Sequence, residues 1–539
     1  MPDKIDSQRV LFEGGLNTSE NFLLLSNSNP GYATRLVNYE TAVSGGYRRI
    51  NGYTKIDASF GEVTSVADPA TGPVLGIWGF VIGSTFTIYA ARKQTAGATY
   101  KIYKYVAVTG WESVATGTTQ VSTGVTVLRT ETFRTQVGNF ICIVDGINEA
   151  LLFNGTTWYQ LVSTNAGGAG SPGGNQVVDA PAIVTFFKNT LFLGGDPASP
   201  GVVAYSAPLD PFTWTAAAGA GQQIPGFSVV QIKAFRDEMY IFGTQAIKKS
   251  IDDEASGFVL QDVTNNLGCI ARDSVQEVNS NIIFFAPDGV RTVAGTERIG
   301  DVEVGPVSKD IDNTIKSIID NFDLSALRSN VIRNKTQFRY FINNDVASKD
   351  DAYGIIGCVR HTSQNIWEFM EINGFEVSCT WSGYDEDGIE VILSGDYDGL
   401  AFYQEEGSTF NGSNITSIYV SPFLDLGDTT IRKLFRRIDL FTRSEGSFSG
   451  TLEVDFDWDD DDVIRPTAYP ITSTSSSSLY DAGLLYDNGA TYAGISQPVF
   501  KINIQGSAYS IQIGFTVSGD YESHTLQGFV INFSVKGKE

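Results

Sequence analysis

Histidine is nearly absent from this 539-residue chain: only His361 and His524 occur. That leaves little material for imidazole acid–base chemistry or for His-rich metal sites, and a surface or satisfied structural role is the reading for both. Cysteine is scarce as well. Cys142, Cys269, Cys358 and Cys379 show neither CxxC spacing nor the density of a disulfide scaffold, so reduced, buried core positions are expected. Positive charge is in deficit, with 37 Lys and Arg against 61 Asp and Glu and a formal net charge of −24. Sequence-independent DNA binding by phosphate neutralisation needs clustered Lys and Arg and is disfavoured by that balance. The longest apolar run, Val74 to Ile82, is too short to span a bilayer. Met1 to Val10 is polar and has no apolar h-region, which leads to the expectation of a protein folded in cytoplasm. The chain also lacks a Gly-x-Ser-x-Gly elbow, a Walker loop and a dinucleotide fingerprint.

What is abundant points to strands. Aromatic and β-branched residues are plentiful, with 34 Phe, 23 Tyr and 7 Trp, and short alternating runs such as Thr85 to Ala91, Asn139 to Asp145 and Asn281 to Ala286 recur. Asn-Gly and Asp-Gly pairs, which accept the positive φ of tight hairpins, separate many of these runs. Helical spacing is confined to Val307 to Asn321, where Ile311, Ile315, Ile318 and Ile319 follow Pro306 and predict one short amphipathic helix.

A repeat lies beneath the hairpins. Trp111, Trp158, Trp214 and Trp367 each follow a turn and enter a strand; by subtraction they stand 47, 56 and 153 residues apart, the last being three times 51. A unit of about 50 residues with four strands and one placed aromatic has the size of a propeller blade, with two unmarked blades between Trp214 and Trp367. After Ile415 the strands lengthen, which suits a sandwich. The expected fold class is therefore all-β: an N-terminal extended segment (1–60), a β-propeller-like platform (61–410) and a β-sandwich-like domain (411–539), with one short helix.

Candidate chemistry is thin. Ser394 to Phe402 (SGDYDGLAF) approaches an Asp-box turn but has an extra residue between Asp396 and Gly399 and occurs once, so an Asp-Gly hairpin at a blade corner is the preferred reading. Asp455-x-Asp457-x-Asp459 begins like a calcium loop, yet Asp460 stands where Gly is required and Pro466 where a bidentate Glu belongs. A strand with Val454, Phe456 and Trp458 facing a core fits the same letters. No metal, cofactor or catalytic group is assigned. Ile431 to Arg437 (IRKLFRR) is the one dense basic run, and the Tyr-rich stretch Leu479 to Tyr492 is read as a protein contact or turn.

Three stretches carry a family resemblance. Phe12-Glu13-Gly14-Gly15-Leu16-Asn17, Asn38-Tyr39-Glu40 and Gly46 to Tyr53 (GYRRINGY) resemble the opening of the tail nozzle proteins of short-tailed bacteriophages, also called packaged-DNA stabilisation or tail tubular proteins. Gly395 to Gly412, Pro422 to Gly427 and Arg432 to Arg437 resemble the passage where those proteins leave the propeller for the C-terminal domain. The resemblance implies a non-enzymatic structural protein of the virion tail, without a cofactor, made in the host cytoplasm. Its implied partners are itself as a homohexamer, a head-to-tail adaptor, a fibre, spike or needle protein, and passing double-stranded DNA without sequence-specific binding. It departs from some members in having no room for large insertions.

A DNA conduit benefits from an acidic wall, since phosphate contacts by Lys and Arg act as brakes. Asp455, Asp457, Asp459, Asp460, Asp461 and Asp462 are candidates for that wall, beside the alternative that they end a solvated outer strand. Arg432, Lys433, Arg436 and Arg437 are candidates for a subunit or tail-protein interface. Two other readings compete: a glycan-binding or glycan-cleaving propeller such as a tail-spike-like depolymerase, and a propeller scaffold for protein partners inside a bacterium.

Overall fold

Alternating runs bounded by turn residues fold here as antiparallel hairpins, and the hairpins stack into a ring. The computed structural model describes residues 5–43, 45–56, 70–94, 98–253, 257–293, 305–343, 346–361, 366–459, 468–473, 499–521 and 523–535. Seven strands begin seven consecutive sheets, at residues 70, 129, 183, 231, 276, 328 and 379, intervals of 45 to 59 by subtraction. Each starts at the ring's inner edge, and the chain then meanders outward. Blade two shows the pattern: Arg129–Thr135, Gly138–Val144, Leu151–Phe153 and Trp158–Gln160 pair in order. The product is a seven-bladed β-propeller.

Apolar side chains alternate along each strand, so every blade has two apolar faces and buries each against a neighbour. Trp78, Tyr89, Ile141 and Phe153 fill the seam of blades one and two, while Cys142, Leu152, Leu193 and Trp214 fill that of two and three. Ile183, Phe192, Ile232 and Ile241 lie between three and four, and Tyr240, Phe242, Ile282 and Phe284 between four and five. Val74 and Ile77 of blade one meet Cys379 and Leu393 of blade seven, which closes the ring. Among the described residues blade five has three strands, Gln276–Val278, Asn281–Ala286 and Gly289–Thr292. The expected helix, α2 (Asp312–Asn321), packs beside it, with Ile315 and Ile318 in one cluster with Val290. A seven-residue helix, α1 (Phe22–Ser28), was not expected; Asn21 caps it by accepting from the Leu23 N–H.

Tryptophan marks blades more loosely than the spacing implied. Trp111, Trp158 and Trp367 stand at the start of the outermost strands of blades one, two and six, and the two unmarked blades between Trp214 and Trp367 are four and five, while blade seven carries no marker either. Trp214 instead lies in the connection before the outermost strand of blade three, and Trp158 is only half-buried. All four cysteines are buried and unpaired.

The second unit is a two-sheet sandwich. One sheet pairs Tyr39–Thr41, Tyr47–Arg49, His524–Val535, Lys433–Ser444 and Val499–Ala508, with Ile5–Leu11 along the edge of His524–Val535. The other pairs Arg35–Val37, Ser413–Val420, Ile511–Gly519, Phe448–Phe456 and Tyr469–Ser473. Phe435, Leu452, Phe515 and Phe529 are among the side chains buried in its core.

The described residues between 5 and 56, which include α1 among their strands, form no unit of their own. They supply strands to both sandwich sheets, and Arg35–Val37 also lies against the last strand of blade six. Tyr53–Lys55 then becomes the fourth strand of blade seven, beside Ala401–Gln404, so the N-terminal segment completes the final blade.

Candidate anion funnel at the propeller axis

Because each blade starts at the inner edge, the residues just before the inner strands converge on one mouth of the central channel. There they and the loops between second and third strands enclose a cavity of about 1110 Å³. The inner strands themselves line a second cavity of about 700 Å³ leading towards the opposite mouth. Arg129 and Arg328 border both, so the two cavities meet at a neck.

The neck is an ion-pair bridge across the ring. Arg129, which opens the inner strand of blade two, aims Nε and Nη2 at the two carboxylate oxygens of Asp273, at 2.6 and 2.8 Å. Asp273 belongs to the short turn Arg272–Ser274 that enters blade five, on the far side of the ring. Arg328, opening blade six, reaches the same carboxylate with Nη1 at 3.3 Å and binds the carbonyls of Ser378, Ser325 and Leu327. Burial pushes the Asp273 carboxyl up, but Arg129, Arg328 and Arg272 outweigh it and hold the group below the usual range. A fork-to-fork arginine pair of this kind fixes direction as well as distance.

Arg272 stands on the funnel side of the bridge. Its Nε donates to the Val230 carbonyl at 2.8 Å, and among the described residues its two terminal nitrogens have no hydrogen-bond partner. Burial and then the nearby charge of Arg129 pull its guanidinium down to about 10, with Asp273 offsetting only part. Beyond the neck, Glu131 and Lys233 line the second cavity; burial raises the Glu131 carboxyl despite Lys233.

A second polar cluster lies at the Ser394–Phe402 corner. Oxygens of Glu376, Asp396 and Asp398 come within 4.8 Å of one another, a spacing a cation could bridge. The Lys349 ammonium already does so, 2.9 Å from Asp396, 2.9 Å from Asp398 and 3.7 Å from Glu376. Asp396 also accepts the Leu400 N–H at 2.7 Å, so the stretch is a lysine-braced hairpin corner.

The residues singled out from the sequence lie elsewhere. Asp455 and Asp457 sit at the end of Phe448–Phe456 in the sandwich; Val454 and Phe456 are buried as the strand reading requires. Trp458 corrects that reading: it is 39% exposed, because Asp457 and Trp458 both take positive φ and turn the chain off the strand. Asp457 is engaged, accepting the N–H groups of Tyr509 and Ser510 at 2.6 and 3.0 Å. The Asp459 side chain, Asp460, Asp461, Asp462 and the Tyr-rich stretch Leu479 to Tyr492 fall outside the described residues.

In the basic run, Arg432 donates to the Ser507 carbonyl at 3.0 Å and Arg436 to the Ser534 hydroxyl at 2.7 Å. Arg437 pairs with Asp439 at 2.9 Å. Lys433 does not offer itself to a partner. It is 1% exposed and gives its three N–H bonds to the carbonyls of Asp428, Ile431 and Tyr509.

Sequence reasoning missed the Arg129–Arg272–Asp273–Arg328 group altogether. The signal available was charge at the starts of inner strands with the blade period, whereas the tryptophan repeat tracks mainly the outer strands.

The family-like stretches come together at the joint of propeller and sandwich. Glu40, almost wholly buried, receives Arg48 at 3.0 Å, Lys335 at 2.7 Å and Arg339 at 3.5 Å. Glu405 binds Lys335 and takes Arg339 at 2.5 Å; burial pushes its carboxyl up, and these two cations bring it below the usual range. Asn38 clasps blade six to the sandwich, donating to the carbonyls of Asn373 and Thr416 and accepting from the Asn373 N–H. Arg49, with no exposure, donates to the carbonyls of Ile415, Gly519 and Tyr521.

No family model matches the chain. No curated protein matches it either. Among solved structures, one similar chain is the extracellular domain of a hybrid two-component system from B. thetaiotaomicron, at 11% identity and a TM-score of 0.37 over 71% of this chain. This chain spans 48% of that one.

Proposed function

We propose that the protein is a structural subunit of the tail nozzle of a short-tailed bacteriophage. It assembles as a hexameric ring between a head-to-tail adaptor and a distal fibre, spike or needle protein, retains packaged DNA, and conducts it during ejection without catalysis. The observation that carries this reading is the position of the family-like residues: Asn38 and Glu40 lock the propeller to the sandwich through carbonyl bonds and buried ion pairs, and Arg49 ties the two sandwich sheets together. A passive conduit needs its two domains held at a fixed angle, and these residues serve that need.

The propeller's own channel is bridged by Arg129, Asp273 and Arg328, so DNA passes between copies, along the axis of the ring. A net charge of −24 on each copy keeps that axis from gripping phosphate. Asp455 is the described candidate for the acidic wall, and Arg432 and Arg436 for a contact between subunits.

Two-dimensional class averages of the purified protein or of virions test the reading, with a six-fold annulus expected. A stable monomer or two-fold dimer that hydrolyses host polysaccharide overturns it in favour of a glycan-cleaving propeller.

A further inference from the structure

Three guanidiniums, Arg129, Arg272 and Arg328, converge on the single carboxylate of Asp273 at the floor of the funnel. One carboxylate leaves two of those positive charges unneutralised, in a protein that is otherwise strongly acidic. The funnel wall does carry Asp145, Asp196 and Asp323, but none of them is hydrogen-bonded to these arginines. Asp145 takes the N–H groups of Ile147 and Asn148, the Asn148 amide and the Tyr100 hydroxyl. Asp196 takes the Ala198 N–H and Asp323 the Ser325 N–H, each inside its own turn.

Two sets of donors remain open on the funnel side. Arg272 bonds the protein through Nε alone. The Arg328 side chain is only 4% exposed and borders the cavity, and among the described residues its Nη2 has no hydrogen-bond partner. These donors are open to the cavity and not sealed in protein, so an anion there can accept from them at the strength of charge-assisted hydrogen bonds. Above this floor Leu75, Val125, Val229, Val230, Ile270 and Tyr397 form a wall with apolar and aromatic surface. The cavity, at about 1110 Å³, is slightly larger than the usual range for small-ligand pockets, so a small organic ligand fits within it.

We propose that the funnel binds a small acidic solute, its carboxylate or phosphate group lying against Arg272 and Nη2 of Arg328 and its body against the apolar wall. The ion-pair bridge beneath stops the ligand from passing down the channel and keeps Arg129 and Arg328 in place. The site belongs to a single propeller and does not depend on ring assembly.

Calorimetric titration of the full chain with inorganic phosphate, with glucuronate and with neutral glucose tests the proposal. Saturable binding of at least one anion is expected, and no binding of glucose. A preference for phosphate assigns a phosphoryl ligand, and a preference for glucuronate assigns a sugar acid. Arg272→Gln, which retains a donor for the Val230 carbonyl, is expected to weaken anion binding by about tenfold or more, the effect of losing charge-assisted hydrogen bonds. If that variant fails to fold, Arg272→Lys supplies the same readout, losing the paired donors but keeping the charge. Absence of saturable binding by both anions, glucose binding as tightly as glucuronate, or undiminished affinity in the folded Arg272 variant overturns the proposal.

Discussion

At the scale of single residues, the molecule places charge inside itself and depends on its neutralisation. Asp273 holds Arg129 and Arg328 across the propeller axis, so Asp273→Ala leaves two nearly buried cations without their carboxylate. Breaking such a pair from one side costs about 3–5 kcal/mol, to be read as a lowered midpoint in urea unfolding. Arg129→Met combined with Asp273→Leu should recover part of that loss, because apolar replacements leave fewer charges unpaired. His524 gives a pH signature. It is fully buried against Tyr39 and Phe448, and burial, then Arg49 and Arg48, lower it from 6.5 to about 3. Its contribution is complete above pH 6.5 and is lost as pH falls towards the folded value, with a limiting slope of about 1.4 kcal/mol per pH unit. Glu376 acts with the opposite sign. Burial, then Asp396 and Asp398, raise it from 4.5 to about 7 despite Lys349, so its contribution is present below pH 4.5 and is lost as pH rises through about 7. Melting curves across pH 4 to 8 should therefore flatten on the acid side in His524→Gln, while Glu376→Gln should gain stability over the native chain above about pH 7.

At the scale of elements, the closing strand Tyr53–Lys55 matters more than its three residues suggest. The preceding Gly52 passes so close to residue 409 that an added Cβ would stand 1.8 Å from the Thr409 carbonyl oxygen. Gly52→Ala must therefore push the strand out of blade seven, and a loss of several kcal/mol is expected, of the order reserved for severe steric conflict. Limited proteolysis should then cut in the 401–412 region, which is protected in the native chain. This element shows where sequence legibility ended. The blade period was readable because each blade repeats the same burial problem, and α2 was readable because its isoleucines recur at 3.6-residue spacing. The origin of the seventh blade's fourth strand was not readable, since three residues pairing with a partner some 350 positions away leave no local pattern. Trp458 misled for a related reason: alternation predicts a face only while the strand lasts, and positive φ at Asp457 ended it. The arginine bridge was missed because its members, although they stand at or just before the starts of inner strands, are distant in sequence and meet only when the ring closes.

At the scale of the whole molecule, the joint decides whether propeller and sandwich behave as two bodies or one. Proteins of this length commonly unfold domain by domain, because few contacts cross a linker. Here one apolar cluster runs from Val290 and Ile315 beside blade five, through Phe338 and Phe369 of blade six, to Phe435, Phe515 and Phe529 of the sandwich. Strands of residues 5–56 are hydrogen-bonded into both units, so separating them breaks sheets and not merely a contact surface. A single calorimetric transition is expected for the native chain. Glu40 is the residue whose loss should split it. Its carboxylate, 3% exposed, lies among Arg48, Lys335 and Arg339, and Gln in its place leaves Lys335 and Arg339 to share Glu405 alone and Arg48 to Glu445, while keeping most of the volume. The local cost, below the roughly 3–5 kcal/mol of a wholly uncompensated buried charge because Glu405 and Glu445 remain, falls on the joint and leaves the seams between blades one to four untouched. Glu40→Gln should accordingly show two separable transitions, with the near-ultraviolet dichroism of the buried propeller tryptophans surviving the first. Two transitions in the native chain would show that the joint is weaker than its buried pairs imply, and one unchanged transition in the variant would show that the continuous apolar cluster alone carries the coupling.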